Sequence, residues 1–210
     1  MQQARFNIER ERHNRLFFKE YTNDKCLFQF HSQIEIYFVD EGEMEMLVDG
    51  KTKTLHAGEL SIALSYDTHA YKTPKFSRSS ALLIPAHLCE EFLITTKGKR
   101  LVSPFITDLD VYTTIKRYYE ALKTENISKL TQLGYIYLIL GAISDAVTLE
   151  DTDSPSDTDL ASRILFYLTD NYKTTSPPRR SPLIWDTAKA TLPAISNRAS
   201  VSRLASISPL

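Results

Sequence analysis

The sequence predicts an α+β chain: an antiparallel sheet folded on itself, then helices, then a segment that fits no element. Three observations carry this. Apolar and polar residues alternate through much of 15–85, apolar residues recur at helical spacing from about Thr107, and neither period survives beyond Thr174.

Taken in order, Cys26 to Val39, CLFQFHSQIEIYFV, is aromatic and β-branched with mostly alternating polarity. MEMLVDGKTKTL follows as two short strands around Asp49-Gly50, a two-residue hairpin turn. HAGELSIAL turns at Gly58 into another strand. In DLDVYTTIKRYYEALKTE, residues Leu109, Tyr112, Ile115, Tyr119 and Leu122 share one helical face. SKLTQLGYIYLILGAISDAVTLE continues as a long apolar helix behind a cap at Asn126 or Ser128. Its apolar surface exceeds one face, so a second neighbour is expected to cover the rest.

The acidic segment EDTDSPSDTD, 150–159, marks a linker. DLASRILFYLTDNYK then restarts a helix over 160–173, with Leu160, Ile164, Leu165 and Leu168 on one face. Residues 174–210 hold five of the nine prolines and the only tryptophan, with no glycine, and read as an irregular tail.

Composition bounds the function. At 210 residues, 42% hydrophobic and 24% charged, the chain has room for one full core and a smaller piece. The net charge of −1 conceals an asymmetry: the tail carries Arg179, Arg180, Lys189, Arg198 and Arg203 against Asp186 alone, leaving about −5 on the body. Cys26 and Cys89 stand apart from any CxxC or Cys/His cluster and are expected as free, buried thiols. The polar N-terminus MQQARFNIERERHNR is no signal peptide and no run is long enough to span a bilayer, so a cytoplasmic protein without a membrane partner is expected. No Gly-rich phosphate loop, Gly-x-Ser-x-Gly elbow or Cys/His pair occurs.

The chemistry-bearing residues lie in the predicted sheet. Residues two apart on a strand share a face, so Gln29, His31, Glu35 and Tyr37 can all enter one interior. With His69 their spacing resembles the two motifs of the cupins, in which His-x-His, three residues, Glu and, six residues on, Gly are followed by a second motif from Gly to a further His. His31, Glu35, Gly42, Gly58 and His69 match; Gln29 stands at the first His, and Leu64 and Tyr66 stand where Pro and Gly are usual. Two imidazoles and a carboxylate can hold a divalent metal with open positions, but an amide is a poor replacement for the missing imidazole. Two other readings of Gln29, His31, Glu35, Tyr37 and His69 stand beside the metal: an effector pocket, with no cofactor and no catalytic residue, or polar residues that serve structure alone. If any metal binds, His31, Glu35 and His69 are its ligands.

The tail has a second reading. Regrouping its codons so that each third base opens a new codon permits DISPEEVALNLG, LGYSKSYLARHFK and FPFGEYIT in one frame, strings that look like helices separated by a turn. With HSQIEIYFVDEGEMEMLVDGK and LASRILFYLTDNYK, the chain resembles the AraC-type transcription regulators over about residues 15 to 173. That resemblance implies a cupin-like barrel and dimerisation helices in residues 1–149, a linker at 150–159, and the first helix of a helix-turn-helix DNA-binding domain at 160–173. The tail, 174–210, is then a frameshifted remainder. It further implies a small-molecule effector and a homodimer formed through Leu130, Leu133, Tyr137, Leu140 and Ile143. DNA is a partner of the intact family member, its binding weak or absent here. A metal-dependent cupin enzyme and a stand-alone effector-binding module remain the alternatives.

Overall fold

The computed structural model describes residues 4–11 and 15–151; the predicted helix at 160–173 and the tail at 174–210 lie outside the described residues. The chain enters through a two-residue strand, β1 (Arg5–Phe6), and one helical turn, α1 (Ile8–Glu11). Then come β2 (Phe17–Thr22), β3 (Lys25–Phe30), β4 (Ile34–Val48), β5 (Lys51–His56), β6 (Glu59–Ala63), β7 (His69–Lys72) and β8 (Ser77–Ile84). A short 3-10 turn leads to α2 (Glu90–Thr96), β9 (Lys99–Leu101) and β10 (Phe105–Ile106), followed by the long helices α3 (Leu109–Leu122) and α4 (Lys129–Ala146) and by β11 (Leu149–Asp151). The first two residues of the acidic segment, Glu150 and Asp151, thus sit in a strand, paired with Arg100 and Lys99 of β9. The expected α+β class, an antiparallel sheet curled into a barrel and followed by helices, is what forms.

Strand β4 makes the curl. Its first half lies between β6 and β8, with Ile36 opposite both Ile62 and Leu82, while its second half pairs β5 and β7, with Met46 opposite Lys53 and Tyr71. Between the halves the register shifts at Val39/Glu41, and Gly42 takes φ +74. A bulge of this kind adds one residue and exchanges the faces of all residues after it. Glu35, Tyr37 and Val39 face the barrel before it; Met44, Met46 and Val48 do so after it, in one cluster with Leu55, Ala63, Tyr71, Ala81 and Leu83. Ser61 Oγ on β6 reaches Met46 Sδ at 3.4 Å, joining the halves across the interior. The sequence reading ended the strand before MEMLV; the structure carries it unbroken through Asp40-Glu41-Gly42.

The outer face of the first half carries Ile34, Ile36 and Phe38, which pack with Ile115, Tyr119 and Leu122 of α3 and Ile136, Ile139, Leu140 and Ile143 of α4. Burial on both faces explains why IEIYFV reads as a nearly continuous apolar run. Of the two cap candidates for α4, Ser128 is the one that forms, accepting from the Thr131 amide, and α3 is capped by Asp108, which accepts from the amides of Asp110 and Val111. The Asp49-Gly50 turn has positive φ at both positions, as a two-residue hairpin requires. Both cysteines are free, Cys89 buried and Cys26 half-buried.

Two of the expected dimer residues need correcting. Leu140 and Ile143, 2% and 0% exposed, are spent inside the protomer against α3 and the sheet, because they fall on the helix face that meets β4. Leu133 is half-buried on that cluster, whereas Leu130 and Tyr137 are exposed together with Leu138. No helix among the described residues is long and apolar enough to cross a membrane.

Candidate ligand and metal site

The site forms where two turns meet at one end of the barrel. His31 lies on the turn between β3 and β4, and its carbonyl accepts the amide of Tyr66 from the turn before β7. Tyr66 holds φ +69 there. The neighbouring Ser32 is fixed from outside: Glu11 of α1 accepts its amide at 2.5 Å and its hydroxyl at 2.6 Å. Glu35 enters from β4, one step into the strand, and His69 opens β7, paired in register with Gln29 of β3 and Val48 of β4.

These turns bring three side chains onto one point. Glu35 Oε2 stands 3.0 Å from His31 Nε2 and 3.5 Å from His69 Nε2, and the three ligand atoms lie within 4.8 Å of one another. All three residues are buried, and the two rings meet edge to face at 4.8 Å. Each imidazole is oriented by a main-chain carbonyl: His31 Nδ1 bonds Gln33 O and His69 Nδ1 bonds Asp67 O, both at 3.0 Å. A carbonyl only accepts, so both Nδ1 atoms carry the proton. In the neutral rings both Nε2 lone pairs therefore face the same carboxylate. A proton on His31 Nε2 or a cation between the groups satisfies that arrangement, His69 Nε2 already accepting from the Gln29 amide, and a metal-ligating histidine is commonly oriented through its other nitrogen in this way.

Burial alone would raise the Glu35 pKa, but the charge of His69 and the hydrogen bond from His31 outweigh it and bring it down to about 2. Burial lowers the His69 pKa against the opposing pull of Glu35. Beside the cluster, Asp67 accepts the Leu64 amide at 2.9 Å and is pushed up to about 8, first by burial and then by the charge of Asp49.

Gln29 joins the cluster in a different role. Its amide nitrogen donates to His69 Nε2 at 3.2 Å and its oxygen accepts from Asn7 Nδ2 at 2.8 Å, so the position of the missing imidazole is filled by a hydrogen-bonding amide. Tyr37 differs from expectation. Its ring walls the interior, but its hydroxyl is turned to Asp24 Oδ2 at 2.6 Å and Ser79 Oγ at 2.8 Å and offers no polar tip to the site. Its place near the histidines is taken by Tyr71, which stacks on His69 at 5.6 Å and meets the Tyr37 ring at a tilt, 4.4 Å between centroids. Tyr71 was legible, since it lies two residues beyond His69 on the same strand face. Asn7 and Asp67 carried no such mark.

No family model and no curated protein matches the chain. Similar solved structures include the AraC-like transcriptional activator CuxR, at 12% identity over 75% of this chain and 59% of that one, TM-score 0.47. ToxT from Vibrio cholerae is similar at 9% identity over 84% of this chain and 75% of that one, TM-score 0.48. An RmlC-like cupin from Shewanella frigidimarina is similar at 22% identity over 35% of this chain and 69% of that one, TM-score 0.32. Function is therefore argued from the chain's own residues.

Proposed function

We propose that the chain is the effector-sensing and dimerising half of an AraC-type transcriptional regulator. The observation that carries the sensing role is the convergence of His31, Glu35 and His69 on one buried point, a set of polar groups that a packed barrel does not need for stability. The resemblance in sequence points the same way, and so does α4, which keeps Leu130, Tyr137 and Leu138 exposed on one side while the other side is buried. Two copies meeting along that side cover it, and a C2 pairing presents the same patch from each.

Reading operator DNA needs a helix in the major groove that presents side chains to base edges. In this reading the segment 160–173, outside the described residues, opens such a domain, and the tail's five basic residues supply only salt-sensitive attraction to phosphate. In an intact regulator, effector binding in the barrel selects the arrangement in which a dimer presents its two DNA-binding units. Sequencing the gene from the codon for Asp159 onward tests this reading. One nucleotide restored near the Thr174 codon opens a frame encoding close to DISPEEVALNLGYSKSYLARHFK; a chain whose present frame stands, with no such reading downstream, is a stand-alone sensor or an enzyme.

A second reading rests on the paired Nδ1 bonds. They leave two nitrogen lone pairs and a carboxylate facing one another, a donor set that fits a divalent transition metal. His31, His69 and Glu35 would hold it, with Gln29 released from His69. The metal supplies a Lewis acid with positions left for ligand oxygens, serving effector capture in a sensor or chemistry in a metal-dependent cupin enzyme.

A further inference from the structure

Tyr71 places a buried hydroxyl without a partner beside the three-residue cluster. It is 3% exposed, its hydroxyl has no hydrogen-bond partner, and its ring is fixed between His69 and Tyr37. A buried hydroxyl left unpaired costs stability, and such groups are rare. Tyr37, its neighbour, shows the contrast: there Asp24 and Ser79 satisfy the hydroxyl. Tyr71 Oη lies toward the Glu35 carboxylate with no partner in hydrogen-bonding geometry, and a phenolic hydroxyl is a donor at neutral pH.

We propose that Tyr71 Oη donates a hydrogen bond to a small oxyanion, of the carboxylate class, bound beside His31, Glu35 and His69. The sign of the charge follows from the site. Two neutral imidazoles and one carboxylate around a divalent cation leave one net positive charge, which an anionic oxygen ligand neutralises. The size follows from the walls, since the Tyr37 and Tyr71 rings and the methionines of β4 fill much of the interior. The proposal rests on the cation reading above and adds to it a ligand class and the residue that selects it.

The test uses the full chain, Co(II) as the cation and oxalate as the anion. Tyr71→Phe keeps the ring and removes only the hydroxyl. Calorimetry is expected to give equal Co(II) affinity in the parent and the variant, and oxalate affinity for the Co(II)-loaded variant lower by about tenfold or more, the usual effect of losing a hydrogen bond to a charged group. The perturbation of tyrosine absorbance on adding oxalate, expected in the parent, is lost with it. Equal oxalate affinity in the two loaded proteins overturns the role of Tyr71 and leaves the cation reading standing. Failure of the parent chain to bind Co(II) removes both.

Discussion

Glu35 is a buried carboxylate that keeps its charge because two imidazoles face it, and the consequence is a definite acid sensitivity. Its folded pKa, about 2, lies below the ordinary carboxylate value, so its contribution is present above that value and is lost as pH falls through about 2. His69, with its pKa lowered by burial, acts in the same direction: the unfolded chain takes up its proton near about pH 6.5 while the folded one resists, so acid again favours unfolding. In an Asp67→Asn background, which removes the opposing titration of Asp67, the thermal midpoint should fall on acidifying from neutrality, and Glu35→Gln should flatten the lower part of that fall. A midpoint that rises over the same range contradicts these assignments. Asp67 has the opposite sign. Its raised pKa means that stability is lost as pH climbs from the ordinary carboxylate value to about 8. Asp67→Asn keeps an oxygen for the Leu64 amide and removes the charge, so it should raise the thermal midpoint at about pH 8 and leave it unchanged at about pH 4. Equal midpoints at both values would remove burial as the cause.

At the scale of elements, the bulge in β4 places the site, since it lets one strand serve both halves of the barrel. Gly42 is its pivot: at φ +74 a Cβ would run into the backbone oxygen of Phe76. Gly42→Ala should therefore cost about 2–4 kcal/mol, read by denaturant unfolding, and a variant as stable as the parent would show that the bulge tolerates a side chain. This element also marks the limit of what the sequence discloses. Alternation made the interior face of Gln29 to Tyr37 legible, and the Asp49-Gly50 hairpin, the Ser128 cap and the inward set His31, Glu35 and His69 were all readable from spacing. A bulge reverses the alternation partway along a strand, so DEG looked like a turn between strands. The hydroxyl of Tyr37 escapes the pattern for a different reason: its partners Asp24 and Ser79 come from the turn before β3 and from β8, contacts that only the tertiary fold brings about. Leu140 and Ile143 were assigned to a partner subunit because an all-round apolar helix does not declare which side its own protomer covers.

At the scale of the whole molecule, the barrel and helices share one apolar cluster through Ile36, Phe38, Tyr119 and Ile139, so a change at the barrel's strands is felt at α4. The exposed side of α4 follows Leu130, Tyr137 and Leu138, with Gly134 and Gly141 open between them. Leu138→Glu should convert a dimer into monomers in sedimentation velocity while leaving the barrel's cation affinity unchanged. A sedimentation coefficient unaffected by the substitution would place the subunit contact elsewhere. If His31, Glu35 and His69 form a cation-binding point in the barrel, calorimetric titration of the full chain with Co(II) reads it out. The predicted result is one cation per chain, with affinity lowered about 100-fold or more by Glu35→Gln and by His69→Ala, as loss of a direct ligand should exceed the cost of losing an outer partner. No binding to the parent chain, or binding that both variants retain, would contradict it.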